Sequence, residues 1–144
     1  MAGTGKNSEF AKSPMANWLQ LQQNNGDGDG DGEYTARFAE HHIGNPVIRS
    51  LHGGFVGSLI EATAELELVR RLPDHDIELV SSSIDYLRVT RDDDLHAHVR
   101  IVRIARRLAF VDVWCWQDTK DMPVARGSCT LRISDNKAQV SNTG

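Results

Sequence analysis

Within residues 51–72, LHGGFVGSLIEATAELELVRRL, a histidine, two adjacent glycines and an acid out of place among aliphatics share one stretch. Glu61 is flanked by Leu59, Ile60 and Ala62, where an ionised carboxylate is costly unless it is paired or faces a wet pocket. A carboxylate in apolar surroundings is the stronger base, because desolvation raises its pKa. On periodicity alone the alternative is an amphipathic helix whose narrow polar stripe carries Glu61 and Glu65, one turn apart. Gly53 and Gly54 bare backbone N–H groups and admit a ligand close to the chain. At a helix start, where positive partial charge collects, such groups suit an anion or a developing oxyanion. Close packing of the helix on a sheet would also call for small residues, and Gly57 fits that role.

These residues need a helix to hold them. Ser50 offers an N-cap and Pro73 forbids continuation. Phe55, Leu59, Leu66 and Val69 form a buried stripe, widened by Val56, Ile60 and Ala62, so the helix is expected to be central. Ahead of it, Tyr34, Ala36 and Phe38 alternate with Thr35 and Arg37, which predicts a half-buried strand. The intervening loop, EHHIGNPVIRS, brings Asn45 toward the helix N-terminus; its His41-His42 pair has no further ligand at metal spacing, so no metal is expected. Beyond Pro73, residues 77–89, 95–105, 108–117 and 124–133 are rich in Val, Ile, Leu and aromatics and read as strands. Only Arg106-Arg107 separates the second from the third, which calls for a tight hairpin or a bent strand. Strand, long helix, then four antiparallel strands is an α+β order. In the third run Phe110, Asp112, Trp114 and Trp116 share one face and Val111, Val113 and Cys115 the other. One helix covers one face, so another subunit is expected on the second. Arg88, Arg91, Arg100, Arg103, Arg106 and Arg107 crowd this half, as charged protection of a sheet edge or as a phosphate-binding patch.

The chain of 144 residues has room for one domain with one core. Its net charge of -4 argues against nucleic-acid or membrane-surface binding as the main role. Cys115 and Cys129 lie in apolar runs and in no CxxC, so they read as buried thiols in a reducing compartment. No apolar run reaches the roughly 18 residues of a membrane helix and the N-terminus lacks a signal-peptide pattern, so a cytoplasmic protein is expected. Residues 1–32 are expected to be a flexible N-terminal tail with a short helix over 15–23, residues 33–134 the folded domain, and residues 135–144 a flexible C-terminal tail. In the tail, Asp27, Asp29 and Asp31 before Gly32 match half of an EF-hand loop, but the twelfth position is Phe38, so the segment reads as an acidic linker.

Taken together, LHGGFVGSLIEATA at 51–64, IDYLRV at 84–89 and VRIVRIARRLAFVDVWCW at 99–116 resemble the hot-dog-fold thioesterases, the phenylacetate-degradation (PaaI-like) and 4-hydroxybenzoyl-CoA thioesterase group. The resemblance spans about residues 34–133. It implies a long central helix wrapped by a five- to six-stranded antiparallel sheet, hydrolysis of acyl-CoA or aryl-CoA thioesters without a metal or other cofactor, and a homodimer as the minimal unit, assembled into a homotetramer. By position, Glu61 falls at the family's catalytic acid and Gly53, with Gly54 beside it, at its backbone donor. His52 is the histidine of the HGG motif and Asn45 the loop amide. Ser81, Ser82 and Ser83 lie close to the family's hydroxyl on the next strand, Ser81 and Ser83 being taken as substrate-binding, and Arg91, Arg106 and Arg107 are candidates for the CoA phosphates. Asn45 lies one residue farther from the histidine than is common, the serines are offset from the family position near Leu79, and Ala105 replaces a glycine. Gly53 and Glu61 are eight residues apart, about 12 Å along a helix, so one helix cannot set both on one carbonyl. The site is therefore expected to join Gly53 of one chain to Glu61 of another. The alternatives are a noncatalytic acyl-CoA-binding or oligomeric hot-dog protein and a hot-dog hydratase, for which only His52 could serve.

Overall fold

The computed structural model describes residues 14–25 and 31–136. The expectations for residues 1–13, 26–30 and 137–144 lie outside the described residues. In chain order the elements are α1 (Pro14–Leu19), β1 (Leu21–Asn25), β2 (Gly32–Ala36), a 3₁₀ turn (Glu40–His42), β3 (Ile43–Asn45), β4 (Ser50–Leu51), α2 (Gly53–Arg71), β5 (His75–Tyr86), β6 (Leu95–Ile104), β7 (Leu108–Trp116) and β8 (Ala125–Asp135). Six strands form one antiparallel sheet in the order β1-β2-β6-β7-β8-β5, and α2 packs across one of its faces. Among the described residues no helix is long and apolar enough to cross a membrane.

Period-two alternation sets the core. Val99 of β6, Val111, Val113 and Cys115 of β7, and Cys129 and Leu131 of β8 turn inward onto Phe55, Leu59, Ile60 and Leu68 of α2. A Cβ at Gly127 would stand 2.5 Å from Ile60 Cγ2, so that glycine lets the helix touch the sheet. The β6–β7 connection is a tight hairpin: the Ala105 N–H donates to the Leu108 carbonyl at 2.8 Å, with Arg106 and Arg107 at the tip. After Pro73 the chain does not enter β6's side of the sheet. It returns as β5 at the far edge beside β8, so only β6, β7 and β8 form a meander, and β5 pairs along one side alone among the described residues. Within β5, Leu79 faces Leu131 but Ser81 faces Thr130, which leaves Val80 as an extra residue, a bulge.

Two boundaries differ from the sequence reading. Residues 14–25 belong to the packed domain, since Leu19 is fully buried and β1 extends the sheet beyond β2. LQQNN has no apolar alternation to betray a strand; its ladder and the 2.6 Å bond from Asn24 Nδ2 to Thr35 Oγ1 hold it. The helix begins at Gly53 with His52 as its cap, because Ser50 and Leu51 pair with β3 and the Leu51 N–H donates to Thr90 Oγ1. On the outer sheet face His98 and His96 lie beside Trp114 and Trp116 of the neighbouring strand, and Lys120 Nζ stands 5.2 Å from the Trp116 ring. Leu108 and Phe110, at the hairpin end, remain exposed.

The helix is locked to β2 by a buried acid. Glu67 is fully buried; its Oε1 accepts from the Tyr34 hydroxyl at 2.6 Å, and its Oε2 from Arg70 Nη2 at 2.5 Å, with Arg71 Nε 3.5 Å away. Burial and the Glu67 charge push the Tyr34 phenol far above its ordinary range, so it stays a donor. A Cβ at Gly32 would fall 2.2 Å from Glu67 Oε1, which makes that glycine part of the clamp. Tyr34→Phe removes one hydrogen bond to a charged acceptor and should lower unfolding free energy by about 1.5–3 kcal/mol, read as a lower urea midpoint at unchanged slope.

Candidate functional site

Moving the helix start to Gly53 puts both glycines in the first turn, where N–H groups lack intrahelical acceptors. The two then part ways. Gly54 N–H donates to His52 Nδ1 at 3.1 Å, whereas Gly53 N–H meets no acceptor among the described residues and is exposed. A Cβ at Gly53 would find only Tyr86 Oη, at 3.9 Å, so the approach to that N–H is open. The His52 carbonyl accepts from Phe55 and Val56 at 3.0 and 3.2 Å, which fixes the peptide carrying the bare N–H. Because Nδ1 of His52 accepts, the neutral ring holds its proton on Nε2. Nε2 is then a donor and has no lone pair for taking a proton from carbon, which counts against the hydratase alternative.

Glu61 is half-buried, and its Oε2 accepts from Ser82 Oγ at 2.5 Å. The bulge decides which serine reaches it. Ile77 and Leu79 pack on the core before Val80; after it Ser82, Ile84 and Tyr86 take the helix-facing positions, opposite Cys129, Gly127 and Ala125. Ser81 and Ser83 pair with Thr130 and Ser128 on the other face, away from Glu61. Three consecutive serines carry no alternation, so the sequence held no signal for the slip. Burial, with the charges of Glu61 and Asp112 adding to it, pushes the Cys129 thiol up to about 11, so it offers no competing nucleophile. Glu65, one turn on, has its carboxyl raised by burial.

Helix and edge strand run antiparallel, with Tyr86 against Gly53 and Ser82 against Glu61. Eight helical residues span about 12 Å and four strand residues about 13 Å, so both rulers separate the N–H from the carboxylate equally. Asn45 Oδ1 accepts from the N–H groups of Val47 at 3.0 Å and Ile48 at 3.5 Å, closing the turn after β3. That turn lies beside the cap, where a Cβ at Gly44 would come 2.7 Å from His52 Cα. The arginines divide. Arg91 pairs with Asp118 at the entry to β6, and Arg106 and Arg107 stand beyond its other end, ten residues or about 33 Å away. Arg106 and Arg107 line an open groove of about 690 Å³ with His75, Arg132 and Asp135. Among the described residues no three His, Cys, Asp or Glu side chains are placed to share a metal.

Comparison with known proteins fits this geometry. The family model described as acyl-CoA thioesterase N-terminal domain matches residues 41–132, so the chain belongs to that family and is by class a thioester hydrolase. No curated protein matches it. Among solved structures, a conserved protein from Pseudomonas aeruginosa is 25% identical, with 87% of this chain and 97% of that one aligned at a TM-score of 0.75. A phenylacetic acid degradation-related protein from Ralstonia eutropha is 20% identical, with 88% and 97% covered and a TM-score of 0.76. A thioesterase from Haemophilus influenzae is 15% identical, with 94% and 92% covered and a TM-score of 0.80. The hot-dog fold expected from the sequence is the fold found.

The histidine pair before the helix is structural. His41 and His42 both direct Nε2 at the Trp18 carbonyl, at 2.9 and 2.5 Å, fastening α1 to the loop. His42 is fully buried, stacks on Phe55 at 3.9 Å, and accepts from the Ala39 N–H through Nδ1 at 3.2 Å. Burial holds its pKa below the ordinary 6.5, so the unfolded chain takes up the proton first. This contribution to stability is complete above about pH 6.5 and lost as pH falls below it through the folded value. Urea midpoints should drop between about pH 7.5 and 5, and less steeply in His42→Asn.

Proposed function

We propose that this chain is a cytoplasmic acyl-CoA or aryl-CoA thioesterase whose site is completed by two copies, Glu61 from one and the Gly53 N–H from the other. The observation that carries this is the unclaimed, open N–H of Gly53, beside a Gly54 N–H already consumed by the cap. The Glu61 carboxylate takes a proton from water as the water attacks the thioester carbonyl, or attacks that carbon itself. Negative charge grows on the carbonyl oxygen, and the Gly53 N–H at the positive helix start donates a hydrogen bond to it. Collapse of the tetrahedral intermediate expels the CoA thiolate, which picks up a proton; the water route leaves the free acid, and the direct route leaves a Glu61 anhydride that water then hydrolyses to the free acid. Ser82 holds the carboxylate in place and Asn45 steadies the turn beside the cap.

The unpaired side of β5 suits a second copy. Antiparallel pairing of two β5 strands about an axis near Ile84, midway between Ser82 and Tyr86, sets Ser82 opposite Tyr86 of the copy. Glu61 then faces Gly53 of that copy, and the 12–13 Å gap within each chain is closed. The groove at Arg106 and Arg107 receives the CoA phosphates; it also holds Arg132, which is three residues, or about 10 Å, along β8 from Cys129. Exposed Leu108 and Phe110 on the outer face are where two dimers would join as a tetramer.

Release of free thiol from a panel of acyl-CoAs tests the activity, and absence of turnover on every member would favour the binding-protein alternative. Glu61→Gln should cost about 10²–10⁴-fold in kcat; unchanged turnover would discard the acid while keeping the activity. Gly53→Pro deletes the N–H alone: proline suits the first helical position, and His52 already has φ -63° and ψ 133°, the conformation a residue before proline prefers. It should fold normally and lose about 10²–10³-fold in kcat. Co-folding the two inactive variants should restore activity in the mixed dimer, which holds one intact site; a mixture as inert as its parents would sink the shared site.

A further inference from the structure

Tyr86 occupies the last helix-facing position of β5, 59% exposed, and its hydroxyl donates to the Gly53 carbonyl at 3.0 Å. The side chain therefore gains little by burial. Its hydroxyl also lies 3.4 Å from where a Cβ on Gly57 would be, so the glycine one turn on leaves room for it over the helix. Gly53 needs such a neighbour. Two successive glycines have no Cβ to narrow φ and ψ, and the first helical turn has no intrahelical acceptors for its N–H groups. On one side of the Gly53 Cα, the peptide is held through the His52 carbonyl, which accepts from Phe55 and Val56. On the other side, the Gly53–Gly54 peptide is held at both ends: its carbonyl accepts from Tyr86 and its N–H donates to His52 Nδ1 at 3.1 Å. With both peptides pinned, φ and ψ of Gly53 are set, and so is the direction of its bare N–H.

We infer that Tyr86 is a positioning residue of the hydrolytic site, holding the Gly53 backbone so that its N–H stays aimed at the thioester oxygen. This rests on the thioesterase reading above. It acts through Gly53 and not on substrate, which gives it a signature distinct from a binding contact or a packing anchor. Tyr86→Phe keeps the ring and removes only the donor, so kcat should fall on the order of tenfold while KM and the thermal midpoint stay near wild type. In a Gly53→Pro background, where the N–H is already gone, Tyr86→Phe should cost nothing more. A kcat equal to wild type, a change confined to KM, or a full additional loss on top of Gly53→Pro would each overturn the role while leaving the thioesterase reading intact. A wild-type chain inert toward every acyl-CoA would instead remove that reading, and this role with it.

Discussion

A straight helix cannot bring its first and third turns to one point, and much of this molecule is arranged around that limit. The first turn of α2 carries an open N–H and the third carries a half-buried carboxylate, about 12 Å apart. The edge strand β5 repeats the same interval, because it runs antiparallel to the helix and contacts it at Tyr86 and Ser82. A rod and a ribbon of matched interval keep the Gly53 N–H and the Glu61 carboxylate apart within one chain. Among the described residues one side of the same strand is unpaired, the strand that contacts both residues. A two-fold axis through that edge is the simplest operation that brings unlike halves together.

Much of the fold was legible because it rests on period and punctuation. The helix after LHGG, its stop at Pro73 and the four later strands follow from apolar spacing, and the Arg106-Arg107 hairpin from the absence of any other linker. Strand β1 was hidden since an edge strand can be held by its backbone ladder with polar side chains throughout. The position of β5 at the far edge was hidden too, because side-chain period says which face a strand shows and nothing about its neighbour. At the site, Glu61 and Gly53 stood out as an acid among aliphatics and a glycine pair at a helix start. Ser82 did not, because the one-residue bulge at Val80 exchanges the faces of every residue after it, and a run of serines gives no hydrophobic register against which to read the exchange. The consumption of the Gly54 N–H by His52 is likewise a matter of cap geometry that only coordinates reveal.

Two acids on α2 show why burial alone is a poor guide to chemistry. Glu67 is the more deeply enclosed, yet its neighbours do not mark it out, since it lies among Leu66, Leu68 and Val69 much as Glu61 lies among Leu59, Ile60 and Ala62. The difference is in the partners. Glu67 is surrounded by a phenol and two guanidinium groups, so its lone pairs are engaged by cationic and hydroxyl donors and its charge is neutralised where it sits. Such a carboxylate is a fastener, fully buried and tied to β2 through Tyr34. Glu61 has a single neutral hydroxyl on one oxygen and an open side toward the strand edge, which leaves an oxygen for water or an acyl carbon. The fold thus separates an acid that ties the helix to β2 from one that meets the edge strand β5 through a single serine hydroxyl.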